Sequence, residues 1–332
     1  MKSAFVGGGR LTSVYSEETI AALEREAGLA SRAVLSREEV LAGGAADVDF
    51  VFSTWGMPRF SVDEIRRSLP RLRAVFYAAG SVQGFAREFL ECGIPVFSAW
   101  AATAVPVVEY AVSQILLANK GFFQSCRRFR DRASRADAHR FFESFPGNYG
   151  CAVGILGAGM IGRAVLRKLA KEHRLRILVH DPFYDDAKAA EDGAERASLE
   201  EIFAICQTIS NHIANLPATV GMLRYEHFRR MKPNATFINT GRGAQVVEAD
   251  LVRALREEPG RTAVLDVTWP EPPEEGSPLY ALPNVFLTPH IAGSSGDETY
   301  RMAEYMLEEF RNFIAGRPTR YGVTLAMLET MA

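Results

Sequence analysis

The most constraining feature of this sequence is a glycine pattern in a particular setting. Residues 152–162 run from an apolar stretch into Gly157, Gly159 and Gly162, the G-x-G-x-x-G spacing, and an amphipathic pattern begins directly behind it. Each glycine has a physical reason. The first permits a tight turn, the second lets backbone approach a pyrophosphate, and the third lets a helix pack closely on the strand. Ala158, Met160 and Ile161 fill the positions between, at the mouth of a helix whose first amides have no partner within it and are free for an anion. Glycine turns are common, so spacing alone is a weak signal; a strand before it and a helix after it point to dinucleotide binding.

Asp181 lies nineteen residues beyond Gly162, after a second apolar run, where a carboxylate accepts both ribose hydroxyls of adenosine and repels a 2'-phosphate. NAD is therefore expected over NADP. Gly7, Gly8 and Gly9 do not repeat the pattern, because position 12 is Thr, and they read as a backbone turn.

The surrounding sequence alternates strands with short helices. Lys2–Val6 is an apolar run. Ser16 is a plausible N-cap, Ser36 with Glu39 and Ser61 with Glu64 have capping-box spacing, and Val48–Ser53, Leu72–Tyr77 and Cys92–Val96 read as strands. Pro106 suits a first helical turn, so a long helix is expected from there to Ala118. The arginine-rich stretch Arg127–Arg140 reads as an exposed arm. A second alternation from Cys151 predicts strands at 151–156, 175–179, 208–213, 235–239, 262–267 and 284–288, with helices at 160–171, from Ser198, 224–231 and 248–256. A final amphipathic helix carries Met302, Met306, Phe310 and Phe313. The expected class is α/β, with two doubly wound parallel-sheet domains.

Composition excludes several alternatives. The 332 residues carry 38 basic and 40 acidic side chains, which leaves no electrostatic reason to expect nucleic acid or an anionic membrane as partner. The apolar stretch Ala99–Ala118 contains Pro106, Glu109 and Gln114, so a buried helix is expected rather than a membrane span. Cys92, Cys126, Cys151 and Cys206 form no CxxC pair, and no bound metal is expected. The opening apolar run is too short for a signal-peptide core, and the expected location is cytoplasmic.

Two further clusters carry chemistry. In Asn239-Thr240-Gly241-Arg242-Gly243, an arginine held between glycines at the carboxyl end of a strand can offer its planar fork to a carboxylate. Among six histidines, His290 is the best acid/base candidate: it follows an apolar strand and is fixed by Pro289. Asp266 and Glu271 lie after the preceding strand.

With these motifs in order, the chain resembles the D-isomer specific 2-hydroxyacid dehydrogenases. The likeness is densest over Val153–Gly293, through Gly157–Gly162, Asn239–Gly243, Leu265-Asp266-Val267 with Glu271-Pro272, and Thr288–Gly293. It continues weakly at Ala78–Ser81, Gly93–Val96 and Val107–Glu109. The resemblance implies that Arg242 binds a substrate carboxylate, His290 moves the proton and Glu271 pairs with His290. Thr240, Asp266 and His290 would face the nicotinamide end of NAD, and Ala79, Gly80 and Ser81 would give backbone amides to the substrate. It further implies a Rossmann NAD-binding domain over 102–293, a smaller flavodoxin-like substrate domain from 1–101 and 294–332, a cleft between them, and a homodimer joined through the cofactor domain and the arm near 120–145. Three positions depart from the family pattern: Ala78 where a glycine is usual, Val82 where an acidic residue is usual, and Ala214 where a proline usually follows His212 and Ile213. The implied activity is NAD-dependent interconversion of a small 2-oxo acid and its D-2-hydroxy acid. The alternative is an NAD(H)-sensing interaction protein on the same fold, resembling transcriptional corepressors.

Overall fold

The apolar runs become the strands of two parallel sheets. The computed structural model describes residues 1–9 and 11–329, so the last three residues of the expected substrate segment lie outside the described residues. The chain divides into two compact units: Met1–Val105 with the segment from Ser294 onward, and Pro106–Gly293.

The first unit holds β1 (Ser3–Val6), β2 (Leu29–Leu35), β3 (Phe50–Ser53), β4 (Ala74–Tyr77) and β5 (Val96–Ser98), in the order β2-β1-β3-β4-β5. This is the flavodoxin-like winding. The C-terminal helix Tyr300–Ile314 belongs here because Phe310 packs edge-on against Phe50, Phe52 and Phe76 of the sheet. Ser36 and Ser61 make the capping boxes expected of them. β2 was not foreseen. It is an edge strand with mostly exposed side chains, and only its parallel pairing with β1 marks it as a strand. Of the stretch expected as the Cys92–Val96 strand, Cys92 instead caps the helix Ala86–Glu91 and Gly93 follows at φ +75°, so β5 starts only at Val96.

The second unit contains β6 (Tyr149–Leu156), β7 (Arg174–His180), β8 (Glu195–Arg196), β9 (Thr208–Asn211), β10 (Thr236–Asn239), β11 (Thr262–Leu265) and β12 (Val285–Leu287). Their order is β12-β11-β10-β9-β6-β7-β8, all parallel. The chain winds away from β6 in both directions, so the crevice between β6 and β9 is the switch point at which open sheets of this kind bind ligands. β9 and β11 are shorter than expected. His212, Ile213 and Asp266 therefore leave the sheet and lie in the loops at its carboxyl edge.

The long helix runs Trp100–Asn119 and includes Pro106 in its interior rather than in its first turn. The two units part at Val105/Pro106, where the backbone nitrogen has no hydrogen to donate to the ladder. This helix is long and apolar enough to cross a membrane by length and composition, yet Ala111, Ile115 and Ala118 are fully buried in the second unit's core.

Candidate active site

At the carboxyl end of β6 the glycine turn has the geometry its sequence demands. Gly157 adopts φ +87°, and a Cβ there would stand 2.7 Å from the His212 carbonyl oxygen. A Cβ on Gly162 would stand 1.9 Å from the Gly157 carbonyl oxygen, so only glycine lets the helix Met160–Glu172 begin this close to the turn. Gly159 has nothing within 4 Å of an added Cβ. Two glycines are thus required by the protein's own packing and the third leaves an open approach to the helix amides, as a pyrophosphate needs. Ala158, Met160 and Ile161 occupy the same turn and first helical residues.

Asp181 sits against this turn. Its carboxylate accepts hydrogen bonds from the Ala158 amide at 2.7 Å and the Phe183 amide at 2.8 Å, which fixes it against the glycine turn with lone pairs remaining for further donors. The turn and Asp181 therefore fit a dinucleotide.

His212, noted in the sequence only as the start of a run that departs from the family pattern, lies against the glycine turn. Its ring nitrogens contact Ser210 Oγ at 2.9 Å and Thr240 Oγ1 at 3.3 Å, and its carbonyl backs Gly157. Burial pushes its pKa down to about 4, so the imidazole is neutral. The sequence marked its position through the family's histidine run, and the pairing of β6 with β9 shows why it meets the glycine turn.

Arg242 follows β10 in a loop wedged against the next one: a Cβ on Gly243 would lie 1.9 Å from the Thr268 carbonyl carbon. Its Nη1 donates to the Gly241 carbonyl at 2.8 Å. Three buried carboxamides, Asn211, Asn239 and Gln245, surround this loop.

Beyond β12, His290 takes φ +56°, rare for a non-glycine residue. Asp266 holds this bend: its carboxylate, 2% exposed, accepts from Thr288 Oγ1 at 2.6 Å, from the Ile291 amide at 2.8 Å and from the Ala292 amide at 2.9 Å. Tyr110, whose phenol is pushed up by burial, reaches Thr288 Oγ1 at 3.2 Å. The bend turns the imidazole toward Glu271, and His290 Nδ1 lies 2.7 Å from Glu271 Oε1. Arg242, Glu271 and His290 thus follow three adjacent strands, β10, β11 and β12, at one sheet edge.

Ala79, Gly80 and Ser81 belong to the first unit, just past β4. Ser98 Oγ donates to the carbonyls of Ala79 at 2.9 Å and Gly80 at 2.6 Å, and the side chain of Thr103 leaves little room for a Cβ at Gly80. Among the described residues no group of three His, Cys, Asp or Glu is placed to hold a metal ion.

Residues 113–292 match the family model described as "D-isomer specific 2-hydroxyacid dehydrogenase, NAD binding domain". The chain is 32% identical to the glyoxylate reductase of Korarchaeum cryptofilum over 76% of each chain. It is 28% identical to the D-3-phosphoglycerate dehydrogenase of Archaeoglobus fulgidus over 71% of this chain but 44% of that one, so it spans about half the length of some curated relatives. Among solved structures, the apo D-mandelate dehydrogenase of Rhodotorula graminis superposes with a TM-score of 0.79 at 19% identity, covering 97% of both chains. The D-lactate dehydrogenase of Lactobacillus jensenii, solved with NAD+, gives 0.72 at 21% identity over 97% of this chain and all of that one. At such identities these structures share the fold.

Proposed function

Because the chain belongs to the D-isomer specific 2-hydroxyacid dehydrogenase family, we propose that it is an NAD-dependent oxidoreductase interconverting a small 2-oxo acid and its D-2-hydroxy acid. The observation that carries this reading is the 2.7 Å contact between His290 Nδ1 and Glu271 Oε1, on loops neighbouring the one that presents Arg242. A carboxylate on Nδ1 orients the ring and leaves Nε2 as the nitrogen that exchanges a proton with substrate.

In this reading the Arg242 guanidinium takes the substrate carboxylate in two parallel hydrogen bonds, which orients the neighbouring carbonyl. When bound, NADH supplies the hydrogen and electron pair that reduce the carbonyl carbon. His290 Nε2 gives its proton to the carbonyl oxygen, on which charge develops, and takes the hydroxyl proton back in the oxidative direction. Gly157, Ala158, Gly159, Met160, Ile161 and Gly162 would hold the pyrophosphate and Asp181 the adenosine ribose. Thr240 and His290 serve the nicotinamide end. Asp266 serves it by holding the His290 bend, since its carboxylate is already taken up by that loop. Ala79, Gly80 and Ser81 would add backbone donors to the substrate. We place the protein in the cytoplasm, where its four cysteines, with no CxxC pair, read as reduced thiols, and, as the family resemblance implies, assemble it as a homodimer.

The test is loss of NADH absorbance with glyoxylate, hydroxypyruvate, pyruvate, phenylpyruvate and branched-chain 2-oxo acids, beside the His290→Ala variant. Turnover of at least one acid is expected, with kcat/KM falling by about 10²–10⁴ in the variant while NADH binding is retained. An unchanged rate in the variant would remove His290 from the mechanism.

A further inference from the structure

At Gly241 and Arg242, the backbone of the loop that presents Arg242 is held by side chains. The Arg242 amide donates to Gln245 Oε1 at 3.3 Å, the Gly241 amide donates to Asn239 Oδ1 at 3.0 Å, and Asn239 Nδ2 donates to the Arg242 carbonyl at 3.2 Å. Asn211, on the neighbouring strand, locks these carboxamides together: its Nδ2 donates to Gln245 Oε1 at 2.6 Å and to Asn239 Oδ1 at 3.0 Å. Gln245 Nε2 donates in turn to the Ile213 carbonyl at 2.6 Å, and the Ile213 amide donates to Asn211 Oδ1 at 3.2 Å. Asn211, Asn239 and Gln245 are 0%, 1% and 0% exposed, so no water substitutes for a missing partner.

Asn211 and Asn239 are register partners at the last positions of β9 and β10. The cluster therefore ties two neighbouring loops, 212–213 and 240–243, at the sheet edge. It also explains Gly241, where a Cβ would stand 3.0 Å from both Asn211 Nδ2 and Gln245 Oε1. A buried amide left unpaired is penalised more than a neutral hydrogen bond contributes. A core needing only to be filled would use apolar side chains here; a closed polar network fixes one arrangement, and every carboxamide in this one has partners for both its oxygen and its nitrogen.

We infer that Asn211 and Gln245 are positioning residues for substrate recognition: they clamp the backbone of Arg242 so that its guanidinium meets the carboxylate of a 2-oxo acid without reordering the loop. The inference rests on the reading of Arg242 as the carboxylate anchor. Gln245→Met keeps the side chain's length and removes the acceptor for the Arg242 amide. Asn211→Leu removes the lock from the other strand.

Steady-state kinetics of Gln245→Met, Asn211→Leu and the double variant are to be compared with hydrogen–deuterium exchange of peptides covering 239–245. In each single variant KM for the 2-oxo acid is expected to rise about tenfold, by more than the Kd for NADH rises, and the double variant should be no worse than the worse single one. Exchange at 239–245 should accelerate. A lowered melting temperature with unchanged KM and unchanged exchange would make the cluster mere core and overturn the inference. If the parent enzyme turns over no 2-oxo acid, the proposed function fails by itself. The clamp is then judged by exchange alone: acceleration confined to 239–245 supports it, and none refutes it.

Discussion

His212 shows how a single side chain links stability to pH at this sheet edge. In the unfolded chain the imidazole binds a proton near its ordinary pKa of 6.5, whereas burial in the folded chain delays protonation to about 4. Between those values the unfolded state holds more protons. The contribution is therefore full above about pH 6.5 and is lost as the pH falls toward 4, by on the order of 3 kcal/mol. His212→Gln does not titrate and is expected to flatten that part of the stability curve. Urea unfolding of parent and variant at about pH 7 and about pH 4.5 measures it; carboxylates titrate equally in both, so their effect cancels in the difference. Equal losses in the two proteins would show that His212 is not protonated late. Arg242, Glu271 and His290 were legible in the sequence because each stands in a motif whose neighbours are fixed in type and spacing. Asn211 and Gln245 were not, since their roles come from strand pairing between segments far apart in the chain, and for His212 the sequence showed the motif position but not its contacts with Ser210, Thr240 and the glycine turn. Asp266 was singled out, but its bonds to Thr288, Ile291 and Ala292 could be read only from the folded loop.

Among the elements, the strand-turn-helix unit from β6 into the helix Met160–Glu172 separates two uses of glycine. Gly162→Ala gains helix propensity of about 1 kcal/mol but drives a Cβ to 1.9 Å from the Gly157 carbonyl oxygen, and overpacking of that kind costs about 1–3 kcal/mol. The clash wins. A lowered melting temperature and weakened NADH binding are expected together. Gly159→Ala meets nothing within 4 Å, and its φ of −67° suits alanine, so its melting temperature should stay within about a degree of the parent's. Its NADH affinity should still fall, because the added methyl would stand on the proposed approach of the pyrophosphate. Differential scanning calorimetry beside NADH fluorescence titration distinguishes the cases, and a Gly159→Ala protein that binds NADH as tightly as the parent would displace the pyrophosphate from this turn. This unit was legible because hydrophobic run, glycine spacing and amphipathic helix are all local. β2 and β8 were not: one exposes most of its side chains and the other is two exposed residues, so pairing with a neighbour is all that defines them.

For the whole molecule, alternating strands and caps foretold two parallel sheets, while the strand orders, the interior place of Pro106 and the parting at Val105/Pro106 depend on long-range packing that no local pattern records. The arm after the long helix carries a further consequence. Phe122, Phe129 and Phe142 are 46%, 54% and 37% exposed, and Tyr149, just beyond the arm, is 71% exposed. Apolar surface of this kind is unfavourable in water, and contiguous patches mark association sites. A second copy of the chain docking through the arm, as proposed for the homodimer, would cover these rings. Sedimentation equilibrium should then give about twice the 36.6 kDa chain mass, and Phe122→Asp with Phe129→Asp should return the single-chain mass by placing desolvated carboxylates in the interface. The substitutions lie on exposed positions, so the melting temperature of the dissociated variant reports what the dimer adds to stability by mass action and should rise with protein concentration in the parent alone. A parent that sediments as a single chain, or a double variant that keeps the doubled mass, would place the contact elsewhere or remove it.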